Sequence, residues 1–98
     1  MIIVISTPTV KDYIEVVEWA LYYKDVKWQC GSRDINEKYW DRYIHDTCIM
    51  VKNNIITYCN KSFIFDHYKQ VDIISILQFY KDNKESRVKM FGNRFGLK

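Results

Sequence analysis

Five side chains in this sequence could bind a soft metal or supply a thiol nucleophile and its base: Cys30, Cys48, Cys59, His45 and His67. His45-x-x-Cys48 is the nearest such pair along the chain. Zinc sites usually show close Cys pairs at loop ends. Here each Cys falls inside an expected strand, where a thiol acts as a small hydrophobe. A nucleophilic thiol also needs a base within hydrogen-bond reach and a feature that lowers its pKa, and no local signature supplies either. A small hydrolase built on Cys48 and His45 therefore ranks third among the readings, and a Cys48–Cys59 bridge is disfavoured because cross-strand disulfides tend to be strained. The acids Asp12, Glu15 and Glu18 are expected on the outer, solvated side of the first helix, and Asp41 and Asp46 at the rim of an aromatic run. Glycines stand alone at Gly31, Gly92 and Gly96, so the chain has no phosphate-cradling loop. No catalytic residue, metal or cofactor is expected.

What the sequence does offer is contact chemistry. Trp28, Tyr39, Trp40 and Tyr43 are interleaved with Lys27, Arg33, Lys38 and Arg42. Rings that stack on bases contribute about 1–3 kcal/mol each, and arginine adds cation–π attraction. Core packing with a basic fringe would account for the same residues. The candidate partner-binding set is Trp28, Arg33, Tyr39, Trp40, Arg42 and Tyr43. A second candidate is the stretch from Lys81 to Lys98, which carries six Lys or Arg against two acids, so the first eighty residues sum to about −1. A near-neutral body with a basic end suggests an anionic contact, for which Arg87, Lys89 and Arg94 are the candidates; a merely solubilising tail accounts for the same charge and is the favoured single explanation.

These residues must be positioned by a small domain. Ninety-eight residues make one domain, expected as a folded unit over 1–82 and a basic, flexible tail over 83–98. A chain this short needs a core dense in large side chains, and sixteen percent of its residues are aromatic. Ile2–Ser6 reads as a strand. Thr7 before Pro8 predicts a helix cap, and Val10, Tyr13, Ile14, Val17, Ala20 and Leu21 trace one helical face. Val26, Trp28 and Cys30 alternate as a half-buried strand ending at Gly31. Asp34 to His45, with Ile35, Tyr39, Trp40, Tyr43 and Ile44 recurring at three- to five-residue intervals, favours a short helix or a helical turn.

Thr47–Val51 and Ile55–Cys59 flank Lys52-Asn53-Asn54, a hairpin turn signal. That register sets Val51 against Ile56, Ile49 against Tyr58 and Cys48 against Cys59, with Ile49, Val51, Ile56 and Tyr58 on the buried side. Lys61–Gln70 is ambiguous, because Phe63 and Phe65 alternate while Asp66 to Lys69 resembles a loop. Val71–Ile74 reads as a last strand, and Ser75 with Gln78 as a capping box before Ile76, Leu77, Phe79 and Tyr80. The order β-α-β-(α)-β-β-β-α describes an α+β domain with about five mainly antiparallel strands and its helices on one face.

Lys27-Trp28-Gln29-Cys30-Gly31, Trp40-x-x-Tyr43, Thr47-Cys48-Ile49-x-Val51-x-Asn53-x-Ile55-x-x-Tyr58 and Ile73-Ile74-Ser75 together resemble a pattern in small bacteriophage accessory proteins. The resemblance runs from Ile2 to about Phe79, and its motifs are turns, caps and core aromatics. It implies a viral protein that blocks a host enzyme, a defence protein or a signalling nucleotide stoichiometrically. The leading expectation is a non-enzymatic module that binds and inhibits or sequesters a host factor, either a host protein or an anionic ligand. The alternative is nucleic-acid binding through the tail and an aromatic platform. No stretch has the roughly 20 apolar residues of a membrane span, and the first residues lack a signal-peptide pattern. A cytoplasmic protein is expected, and a homodimer could form through a free sheet edge.

Overall fold

The β-hairpin read from the Asn-Asn turn is the centre of the fold. In the computed structural model, which describes residues 2–84, β3 (Thr47–Lys52) and β4 (Ile55–Asn60) are joined by Asn53 and Asn54 at φ 53° and 65°. This is the left-handed pair that a two-residue hairpin turn requires and that asparagine tolerates. The register is the one the turn implies: Val51 opposite Ile56, Ile49 opposite Tyr58, Cys48 opposite Cys59.

β1 (Ile2–Ser6) pairs antiparallel with the other side of β3, while β2 (Lys27–Trp28) and β5 (Ile73–Ile74) add in parallel to β4 and β1. The result is one five-stranded sheet in the order β2-β4-β3-β1-β5. With it go four helices among the described residues: α1 (Val10–Glu18), α2 (Lys38–Tyr43), α3 (Lys61–His67) and α4 (Ile76–Asp82). The domain is α+β, as its pattern of elements implies.

The pleat separates two apolar layers. On one face Ile5, Ile49 and Ile56 pack under Tyr13, Val16 and Val17 of α1 and Phe79 of α4. α1 runs on into a π-helical turn, Trp19–Tyr23, which brings Trp19 edge-on to Phe79 at 5.1 Å. On the opposite face Val4, Cys48, Met50 and Cys59 are closed over by Ile64 of α3. That burial of one isoleucine contributes about 1.5–3 kcal/mol. The segment whose alternation left it ambiguous is thus a helix. Asn60 at the end of β4 caps it by accepting from the Phe63 amide at 2.8 Å, and it adds a cover on the face away from the other helices.

Five local expectations are corrected. Thr7 does not cap α1: its hydroxyl and amide both donate to the Thr47 carbonyl at 2.9 Å, prolonging the β1–β3 pairing, and Thr9 is the cap, accepting from the Asp12 amide at 3.1 Å. Cys30 is exposed instead of sharing a buried face with Val26 and Trp28, because Gly31, at φ 89°, closes a turn directly after Trp28. Glu15 and Glu18 are buried, not on a solvated face, and Asp12 accepts the hydroxyl of Tyr80 from α4. Leu77 is 76% exposed; α4 is anchored by Phe79 instead. Ser75 does cap α4 through the Gln78 amide at 3.1 Å, but the Gln78 side chain turns forward to Asp82. Among the described residues no helix is long and apolar enough to cross a membrane.

Candidate functional site

The hairpin register sends Tyr58 to the face of the sheet that α1 covers, beyond the last residue of β4 that β2 reaches. Tyr39 of α2 stacks on it with ring centroids 4.5 Å apart and planes 13° from parallel. Trp28 meets Tyr39 edge-on at 4.9 Å, and Tyr43 tilts toward Tyr58 at 6.0 Å. Three of these four rings lie in the segment singled out from sequence. Tyr58 was legible there only as a core residue; its facing Ile49 showed which side it takes, while its neighbours come from elements distant in sequence.

Hydrogen bonds hold the segment between Trp28 and α2 in place. The indole N–H of Trp28 donates to the Asp34 carbonyl at 2.6 Å. The Tyr13 hydroxyl, on a buried ring, donates to the carbonyls of Ile35 and Asn36 at 2.9 and 2.8 Å. Burial, helped by the neighbouring Tyr39 and Tyr58, raises the Tyr13 phenol well above the usual range, so it remains a donor. Trp40 turns the other way from the ring cluster. Its indole N–H donates to the Thr7 carbonyl at 2.9 Å, and its own carbonyl accepts from the Thr47 hydroxyl at 3.3 Å. Trp40 is therefore the anchor of α2. The helix then ends abruptly at Ile44, a β-branched residue at φ 45°, ψ −122°, a region that non-glycine residues rarely adopt.

Two clefts open beside this cluster. The first, of about 430 Å³, is lined by Trp28, Tyr39, Tyr43 and Tyr58 with Gln29, Cys30, Arg42, Ile56 and Thr57. The second, of about 350 Å³, lies on the α3 side, between Met50, Cys59, Asn60, Phe63 and Tyr68. Tyr43, Thr57 and Tyr58 line both. The Thr57 hydroxyl is buried and has no hydrogen-bond partner among the described residues, which is unfavourable unless something satisfies it. Arg42 rests 5.7 Å from the Tyr43 ring centre; no ion pair engages it among the described residues.

The structure thus brings Trp28, Tyr39, Arg42 and Tyr43 together. Trp40 is turned away, and Arg33 lies elsewhere, bound to Asp25 at 2.9 Å and to the Leu21 carbonyl, 5.9 Å from the Tyr22 ring. Gln29, Ile56, Thr57 and Tyr58 join the site without having been singled out. Arg87, Lys89 and Arg94 lie outside the described residues.

Among the described residues no thiol is hydrogen-bonded to an imidazole. Cys48 is fully buried and its thiol points toward the Asp46 carbonyl at 3.9 Å, while the His45 side chain is exposed. Burial first, and then the neighbouring Cys59 thiol, push Cys48 up to about 12; burial pushes Cys59 up to about 11. Neither is a thiolate at neutral pH, the form a nucleophile needs. His67 stacks on Phe63 at 4.3 Å, with Nδ1 3.1 Å from the Phe63 carbonyl. Among the described residues no group of three or more His, Cys, Asp or Glu is placed to hold a metal ion.

Compared with known proteins, the chain matches no family model, no curated protein and no solved structure.

Proposed function

We propose that this protein acts by binding, as a phage-type accessory module that inhibits or sequesters a host factor through the ring-lined cleft between α2 and β4. The observation that carries this reading is the cleft's lining. Three tyrosines and a tryptophan form its wall, and among the described residues one arginine stands at it without an ion pair and the buried Thr57 hydroxyl lacks a partner. Rings present large apolar area at small entropic cost, and a lone guanidinium gives direction to an anionic group, the composition of binding hot spots.

The test is capture from bacterial lysate with the whole chain, followed by titration calorimetry on the captured partner. Saturable binding is expected, weakened about 10-fold or more by Tyr43→Ala or Arg42→Ala. Equal binding by both variants, at unchanged stability, would remove the cleft from the reading. Single-stranded DNA as competitor separates the nucleic-acid alternative: displacement with a salt slope of about −3, for four phosphate contacts, would favour it.

A further inference from the structure

β4 has an unfinished edge, and the two clefts lie on either side of it. The turn at Asn53-Asn54 makes Lys52–Ile55 the closing pair of the hairpin, and the closing pair of a two-residue turn is hydrogen-bonded. Hydrogen-bonded and open pairs alternate along an antiparallel ladder. Thr57 and Cys59 therefore direct their amides and carbonyls to β3, while Ile56 and Tyr58 direct theirs outward. Ile56 is met by Trp28 of β2, where that ladder ends. Tyr58 is the next outward residue, and among the described residues no strand pairs with it there.

We infer that this edge receives an extended peptide segment of a partner protein, which extends the sheet at Tyr58 and carries an acidic side chain between two apolar ones. The proposal rests on the binding reading above and names the partner's chemistry. A peptide residue exchanging both backbone bonds with Tyr58 must put its side chain on the Tyr58 face of the sheet, and its two neighbours on the other. The first face opens on the cleft with Arg42, and none of that cleft's lining residues is acidic, so charge complementarity selects an acidic residue there. The second face opens on the apolar cleft of Met50, Phe63 and Tyr68, which suits the neighbours. Thr57, whose buried hydroxyl has no partner among the described residues, lines both clefts.

Amide exchange measured by NMR on the whole chain tests this. The Tyr58 amide should exchange far faster than those of Thr57 and Cys59 in the free protein. Adding a capped heptapeptide with a central Ile-Glu-Ile should slow it, whereas the same composition rearranged to Glu-Ile-Ile should bind weakly. N-methylation of the central Glu amide should weaken binding about tenfold. Arg42→Glu, an exposed substitution, should switch preference to Ile-Lys-Ile. A Tyr58 amide already protected in the free chain, in a monomer or in a dimer that sediments as such, overturns the proposal. So does a peptide that shifts the Tyr39 and Tyr43 ring signals without protecting Tyr58, although that result leaves the cleft reading standing. Loss of both the peptide effect and Tyr43-dependent capture removes both.

Discussion

Tyr39 and Tyr58 lie face to face, 4.5 Å between centroids and 13° from parallel, although one belongs to a short helix and the other to the last strand of the hairpin. That stack fixes α2 against the sheet and so sets the width of the first cleft. A double-mutant cycle of Tyr39→Ala and Tyr58→Ala, followed by urea denaturation, should give a coupling of about 0.5–1.5 kcal/mol. Strictly additive losses would show that the rings do not support one another.

The backbone at Ile44 leads to a second expectation. Its φ of 45° with ψ of −122° stores about 1–3 kcal/mol in a residue that is not glycine. The Ile44 side chain is 46% exposed and contributes little packing in return. Ile44→Gly should therefore stabilise the fold by about 1 kcal/mol net of glycine's greater chain entropy. For a domain of this size that raises Tm by about 4–8 °C, and a drop in Tm would contradict the account.

The turn supplies a third. Asn54 sits at φ 65°, so Asn54→Gly should stabilise the hairpin, and Asn54→Ala should destabilise it by about 1 kcal/mol. Chemical denaturation of the two variants measures both, and equal stabilities would mean that the turn is not left-handed.

The buried thiols set a dependence on pH. In the unfolded chain Cys48 and Cys59 ionise near 9.0, but in the fold they rise to about 12 and 11. Above pH 9 the native state then holds more protons than the unfolded state, so stability must fall as pH rises. Urea midpoints should be unaffected by these thiols below pH 9 and decline between about 9 and 12. Replacing both by alanine should flatten part of that decline. The remainder belongs to Tyr13 and Tyr80, which burial also raises, with the Asp12 hydrogen bond adding to the effect at Tyr80. A midpoint that rises over this range would refute the assignment. In the native protein at neutral pH, a maleimide should label exposed Cys30 first.

Much of the scaffold is written locally. Strand alternation, an Asn-Asn turn and a Ser75 cap act over a few residues, so the hairpin register and the start of α4 follow from sequence spacing alone. α3 was not legible, since Phe63 and Phe65 mimic strand alternation and the residue that decides the matter, Asn60, is also the last residue of β4. Periodicity misplaces the acids of α1 for a similar reason: it ranks a helix's faces by polarity, whereas Glu15 and Glu18 are buried and half-buried Asp12 meets Tyr80 from α4, 68 positions away.

β1, the β3–β4 hairpin with its turn and the ring-rich stretch from Trp28 to Tyr43 are legible in the chain alone, because each is encoded in residues a few positions apart. Long-range packing sets the rest: Tyr58 completes the ring wall, Trp40 and Arg33 turn away from it, and β2 stops one outward residue short of Tyr58. Those outcomes depend on how far a strand's partner reaches and where a helix end is pinned. Both are settled by hydrogen bonds between distant segments, such as Trp40 to Thr7 and Tyr13 to Ile35, that no local pattern records.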